Sequence, residues 1–219
     1  MRAKAFIFDM DGTMANNMAW HCKAWVELFR DEGVTVAEEE FMRLAGKTTR
    51  ELIHTFIGKP VTDDECRHLA AQKEFLYRYM YRPHIKPVPG LRQFLRDARA
   101  KGIKIGVATA ADPKNIEFTL ENLKVKDLLD QVVGAAEVKH GKPEPDLFLL
   151  VAQKLGVDPR DCLVFEDAEM GFEAAFRAGM PAIAMITGHT REQLAQMNGV
   201  TSVADDFNDP VIRKLLRAD

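Results

Sequence analysis

The chain has 219 residues, 47% of them hydrophobic and 29% charged, with a formal net charge of -3 at pH 7. That composition excludes disorder and is long enough for one core plus a smaller accessory unit. The slight negative charge lacks the basic footprint that nucleic acid or an anionic membrane demands, so neither is expected as a partner.

The segment from Ala3 to Phe8 is short and evenly apolar, which predicts a strand buried on both faces of a parallel sheet. It ends in Asp9-Met10-Asp11-Gly12-Thr13. If the extended geometry persists, alternation turns both carboxylates the same way, and Gly12 permits a sharp turn behind them. Such a pair suits phosphoryl transfer, while the same pattern also fits a hairpin turn or a calcium loop. From about Met18 to Arg82 helical patterns replace strand signals. Trp20, Ala24, Leu28 and Phe29 share one face, and Thr62 to Glu65 has the capping-box spacing ahead of a helix through Leu69, Lys73, Leu76 and Tyr79. Hinges are expected at Thr13 to Asn17 and, stiffened by Pro83, Pro87 and Pro89, at Arg82 to Gly90. Residues 17–83 then form a helical insert in a core of residues 1–16 and 84–219.

Further strands are predicted at Ile103 to Ala108, Gln131 to Gly134, Cys162 to Phe165 and Pro181 to Ile186, with a weaker one at Thr201 to Val203. Helices are predicted at Leu91 to Ala100, Asn115 to Leu123, Asp146 to Leu155 and Gly171 to Ala178, with Gly102, Gly156 and Gly179 marking stops after three of them. The alternation implies an α/β fold, a three-layer Rossmann-like parallel sheet whose ligand crevice lies at the carboxyl ends of the strands. Cys22, Cys66 and Cys162 are odd in number and widely spaced, which argues against a disulfide framework or a zinc site. No apolar run reaches the length of a membrane helix, and Asp9 breaks the N-terminal run too early for a signal-peptide core. A cytoplasmic monomer is the expectation.

Three more candidate groups follow strands. Thr109 offers a hydroxyl and neighbouring amides to a phosphoryl oxygen, or caps a turn. Lys142 sits in the stiff loop Gly141-Lys142-Pro143-Glu144-Pro145, or is a solvated surface lysine. Glu166-Asp167 closes an apolar strand, where acids also favour the start of a helix. Taken together they make chemical sense. Asp9, the backbone carbonyl of Asp11, and Asp167 are hard oxygen ligands for Mg2+, with Glu166 bound directly or in its outer shell. A carboxylate approaches an anionic phosphate ester only if a metal and a cation such as Lys142 offset the repulsion. Asp9 is then the nucleophile and Asp11 the general acid and base.

In this order, with a helical insert after the first, these four elements resemble the haloacid dehalogenase superfamily of aspartate-nucleophile phosphotransferases, and the resemblance covers nearly the whole chain. Asp9 to Thr13 looks like its first motif, Thr109 its second, Lys142 its third and Glu166-Asp167 its fourth. Within it the insert is similar to that of the group containing beta-phosphoglucomutase and small sugar-phosphate phosphatases. His21-Cys22-Lys23-Ala24-Trp25 resembles the hinge-proximal segment whose histidine couples cap closure to proton transfer, and Arg50 the cap arginine that grips a second phosphate. Lys73 falls near the group's sugar-contacting lysine. The resemblance implies substrate contacts from His21, Arg50, Lys73, Ala110, Lys114 and Asn115, although Asp112 in the same loop opposes a second phosphate. The carboxyl half, from Glu137 to Pro143 through Ala178 to Met180, looks similar to bacterial fructose-1-phosphate-type phosphatases. The expected function is therefore Mg2+-dependent hydrolysis of small sugar phosphates or related metabolites through an aspartyl phosphate. A phosphomutase is the alternative, and a non-catalytic metabolite-binding protein a remote one.

Overall fold

The computed structural model describes residues 3–42, 49–58 and 60–217. The chain divides into two compact units, Met1–Asn16 with Lys86–Asp219, and Asn17–Ile85. The second unit holds helices α1 (Met18–Asp31), α2 (Glu38–Met42), α3 (Thr49–Ile57) and α4 (Asp63–Tyr81). The first holds α5 (Leu91–Ala100), α6 (Pro113–Leu123), α7 (Asp146–Leu155), α8 (Glu169–Arg177), α9 (Arg191–Leu194) and α10 (Pro210–Lys214). Among its described residues six strands, β1 (Ala5–Phe8), β2 (Lys104–Thr109), β3 (Gln131–Gly134), β4 (Cys162–Glu166), β5 (Ala182–Met185) and β6 (Val200–Ala204), form one sheet in the order β3-β2-β1-β4-β5-β6. Every pairing is parallel, so the fold is the expected α/β, Rossmann-like one.

Strand β1 is buried along its whole length because alternation gives each face an apolar partner. Phe6 stacks on Phe94 of α5 with ring centroids 5.3 Å apart, and Phe8 stacks on Phe165 of β4 at 4.6 Å. Ala5 and Ile7 turn to the other face, into a core with Leu147, Phe148 and Val151 of α7 and Phe172 of α8. From β1 the chain fills one side of the sheet with β2 and β3, then crosses back to place β4 on the other side of β1. The crevice of a doubly wound sheet opens at that reversal, outside the carboxyl ends of β1 and β4.

Extended geometry stops at Phe8, and a tight turn follows. Met14 and Ala15 donate their N–H groups to the Met10 carbonyl at 2.9 and 3.2 Å, and Gly12 donates to Ala15 at 2.8 Å. Asp11 is thus placed by this turn and not by strand alternation. Helix α6 starts at Pro113, two residues before the expected Asn115, because the Asp112 carboxylate caps it. In α1 the buried face is Cys22, Ala24, Trp25, Leu28 and Phe29, while Trp20 stacks on His84 at 4.4 Å. The capping box at Thr62 and Glu65 is formed, and the buried stripe of α4 runs Cys66, Leu69, Lys73, Tyr77, Tyr81. Tyr79 is 71% exposed, since steps of four from Lys73 carry the stripe through Tyr77.

The three cysteines are free and buried, and burial pushes the thiols of Cys22 and Cys162 up to about 11, which leaves them unreactive at neutral pH. No helix among the described residues is long and apolar enough to cross a membrane.

Phe94 contacts the rings of Phe6, Phe8, Phe165 and Phe207. Phe94→Ala should therefore lower the unfolding free energy by about 3–5 kcal/mol in a urea titration, the cost of deleting a fully packed aromatic ring.

Candidate active site

The parallel register Phe8↔Phe165 puts the residues that follow, Asp9 and Glu166, side by side at the carboxyl edge of the sheet. The Asp9 N–H donates to the Phe165 carbonyl at 2.9 Å, which extends the pairing by one bond. Between these acids lies Lys142, delivered by the loop from β3 to α7. Its ammonium donates to Asp9 Oδ1 at 2.5 Å and to Glu166 Oε2 at 2.8 Å, and stands 5.1 Å from the centre of the Phe148 ring. One carboxylate oxygen each from Asp9, Glu166 and Asp167 lie within 4.8 Å of one another. Thr187, just past β5, donates its hydroxyl to Asp167 Oδ2 at 3.2 Å. Gly12 takes a φ of +86°, and a Cβ there would lie 2.0 Å from Asp167 Oδ2, so the turn fits against this acid only without a side chain. Thr109 ends β2 fully buried, its hydroxyl accepting the Ala111 N–H at 3.1 Å.

Charge is unbalanced in this cluster. Asp9, Glu166 and Asp167 are 6%, 2% and 7% exposed, and Lys142 is the cation that touches the first two. Burial, the largest influence, drives the Asp9 carboxyl up to about 6 even though Lys142 pulls the other way. Burial, with Asp9 adding to it, takes Asp167 up to about 7 and Glu166 well above the usual carboxylate range. Burial opposes the charge of Lys142, yet Asp9 and Glu166 outweigh it and the ammonium is held more firmly than in water. Asp11 is half-buried, and its charge raises both Asp9 and Asp167. Buried hard oxygens with surplus negative charge are what a small divalent cation neutralises, so the donor set fits Mg2+.

The structure thus brings Asp9, Lys142, Glu166 and Asp167 into contact, with Thr109 at the end of the adjoining strand. In the loop after Thr109 two backbone amides are already taken. Asp112 accepts the N–H groups of Lys114 at 2.8 Å and Asn115 at 3.1 Å, so a carboxylate already occupies these amides. Ala110 and Lys114 are exposed and Asn115 is buried. In the second unit Lys73, 4% exposed, lies with its Nζ 2.8 Å from both His21 Nδ1 and Glu74 Oε1, and His21 stacks on Tyr77 at 3.7 Å. Arg50 is exposed and pairs with Asp63; Gly46, Lys47 and Thr48 before it lie outside the described residues. Sequence reasoning missed Thr187 and Phe148. The signal for Thr187 was the one used for Thr109, a hydroxyl directly after an apolar strand; Phe148 gave none beyond helical periodicity.

Residues 3–179 match the haloacid dehalogenase-like hydrolase family. The fructose-1-phosphate phosphatase YqaB of Escherichia coli is 35% identical, covering 83% of this chain and 96% of that protein. The beta-phosphoglucomutase of Bacillus subtilis is 30% identical, covering 84% of each. A HAD hydrolase of family IA, variant 3, from Entamoeba histolytica superposes with a TM-score of 0.91 at 29% identity, covering 97% of both chains.

The raised carboxyls give a pH dependence with a definite sign. Asp167 moves from an ordinary 3.8 to about 7 on folding, so its contribution is fully present below pH 4 and lost as pH rises through 7. In chelator, the unfolding free energy of the wild type minus that of Asp167→Asn is expected to fall between pH 4 and pH 8, by roughly 2–4 kcal/mol. Denaturant titrations at several pH values measure it, and added Mg2+ should reverse the trend in the wild type.

Proposed function

Because the chain belongs to the haloacid dehalogenase-like hydrolase family, we propose that it is a Mg2+-dependent phosphohydrolase acting on small phosphorylated sugars or related metabolites. The observation that carries this reading is the ammonium of Lys142 clasped between Asp9 and Glu166, with Asp167 alongside.

A phosphate ester entering the crevice is anionic, and Asp9 must approach it from the side opposite the leaving group. Lys142 offsets the repulsion while keeping the Asp9 carboxylate ionised and oriented. Asp9, Asp167 and the Asp11 carbonyl, with Glu166 as a direct or outer-shell ligand, would hold Mg2+, which would supply further positive charge for the phosphoryl oxygens. Asp9 attacks phosphorus, the bond to the ester oxygen breaks, and Asp11 gives its proton to the departing alkoxide. Asp11, now a carboxylate, takes a proton from the water that attacks the aspartyl phosphate, which releases inorganic phosphate and restores Asp9. The Thr109 hydroxyl and Lys142 are read as holding phosphoryl oxygens throughout.

The helical unit follows the Asp9 to Thr13 segment directly, and we read it as a cap bearing the selective groups His21, Lys73 and Arg50, with Ala110, Lys114 and Asn115 contributing from the core. Asp112 favours hydrolysis of monophosphates, because its carboxylate takes amides that a second phosphate would need. The similarity to a fructose-1-phosphate phosphatase supports the same choice. The buried pairing of Lys73 with His21, together with the beta-phosphoglucomutase relative, supports a phosphomutase as the second reading.

Phosphorus NMR with Mg2+ and fructose 1-phosphate, then beta-glucose 1-phosphate with a trace of its 1,6-bisphosphate, distinguishes the two. Inorganic phosphate is expected as the main product; glucose 6-phosphate without comparable phosphate would establish the mutase instead. Asp9→Asn should lower turnover by at least about 10³-fold under either reading, as for loss of a covalent nucleophile. Thorough chelation should also abolish activity, and activity that survives it would remove Asp167 from the proposed ligand set.

A further inference from the structure

Gly171 occupies the first turn of α8. Its backbone is not in the left-handed region, and apart from proline glycine is the least favourable residue in a helix, so local structure gives no reason for it. Space does. A Cβ at this position would lie 2.0 Å from Glu166 Cδ, 2.2 Å from its Oε1 and 2.5 Å from its Cγ, and these are the three nearest atoms it would meet. The Glu166 side chain has little freedom to retreat. It is 2% exposed, and its other oxygen holds Lys142 at 2.8 Å while Lys142 holds Asp9 at 2.5 Å.

We infer that Gly171 is a positioning residue for Lys142 in the proposed hydrolysis: its missing side chain leaves the slot in which the Glu166 carboxylate lies, and Glu166 in turn sets the ammonium against Asp9. The inference rests on the phosphohydrolase reading. Glu166 closes β4 and Gly171 lies five residues on, so the chain turns from strand to helix around the carboxylate. A methyl group at 171 expels it, and Lys142, left with Asp9 as its nearest acid, is no longer fixed from both sides.

A double-mutant cycle of Gly171→Ala and Glu166→Ala tests this, read by kcat/KM with fructose 1-phosphate and by the thermal midpoint. In the Glu166 background, Gly171→Ala should lower kcat/KM roughly 10- to 100-fold, the effect of losing one charge-assisted hydrogen bond, and lower the midpoint. In the Glu166→Ala background the new methyl enters the vacated slot, so kcat/KM should not fall further. There the midpoint should rise by about 2–4 °C through helix propensity. An equal effect of Gly171→Ala in both backgrounds, or wild-type kcat/KM in the single variant, would overturn the inference. If the wild type hydrolyses no sugar phosphate, the functional reading has failed; the thermal arms still decide whether residues 166 and 171 compete for one slot.

Discussion

Carboxylates whose oxygens approach within 4.8 Å repel one another, and burial makes the repulsion far larger than in water. Lys142 is what keeps Asp9 and Glu166 together against that repulsion. The lysine needs them as much as they need it, since an ammonium at this depth would otherwise lose its proton. One ammonium cannot neutralise three acids; burial, with mutual repulsion adding to it, pushes Asp9, Glu166 and Asp167 upward. A site left in this condition is poised for a cation and for the proton movements that go with binding one.

The sheet supplies this arrangement through its strand order. Asp9 and Glu166 are far apart in the chain and adjacent in space because β1 and β4 pair in register at the point where the strand order reverses. Both strands are buried, and stacked phenylalanines join them immediately below the acids. Loops contribute the remaining members. Gly12 in the turn after β1 leaves room for Asp167, and Gly171 after β4 leaves room for Glu166. Two absent side chains therefore shape the cluster as much as the charged ones do.

The helical unit carries a buried lysine of its own, handled differently. Lys73 lies against His21 and Glu74 with its ammonium 5.4 Å from the Trp25 ring and 5.8 Å from Tyr77, so one carboxylate, an imidazole and aromatic faces share its charge. Asn17 donates to the Tyr77 hydroxyl at 2.6 Å, which ties the first residue of this unit to the same helix face. A lysine so fully enclosed is unusual for a helix whose other face is solvated.

The sequence by itself determined the strands, because uninterrupted apolar runs bounded by glycine and acids have few other solutions, and it determined the family through four short motifs in a fixed order. Asp9, Lys142, Glu166 and Asp167 were legible there as residue types with a shared chemistry. Their contact was not, since it depends on the register of β1 with β4 and on the path of the loop before α7. Extended alternation does not carry on to Asp11, because hydrogen bonds within residues 10–15 turn the chain as soon as the strand ends. That Asp112 folds back on the backbone amides of Lys114 and Asn115 was likewise visible only in the fold. Sequence spacing identifies which groups exist at a strand end, whereas only packing decides which neighbour has already taken their charge, their hydrogen bonds or their space.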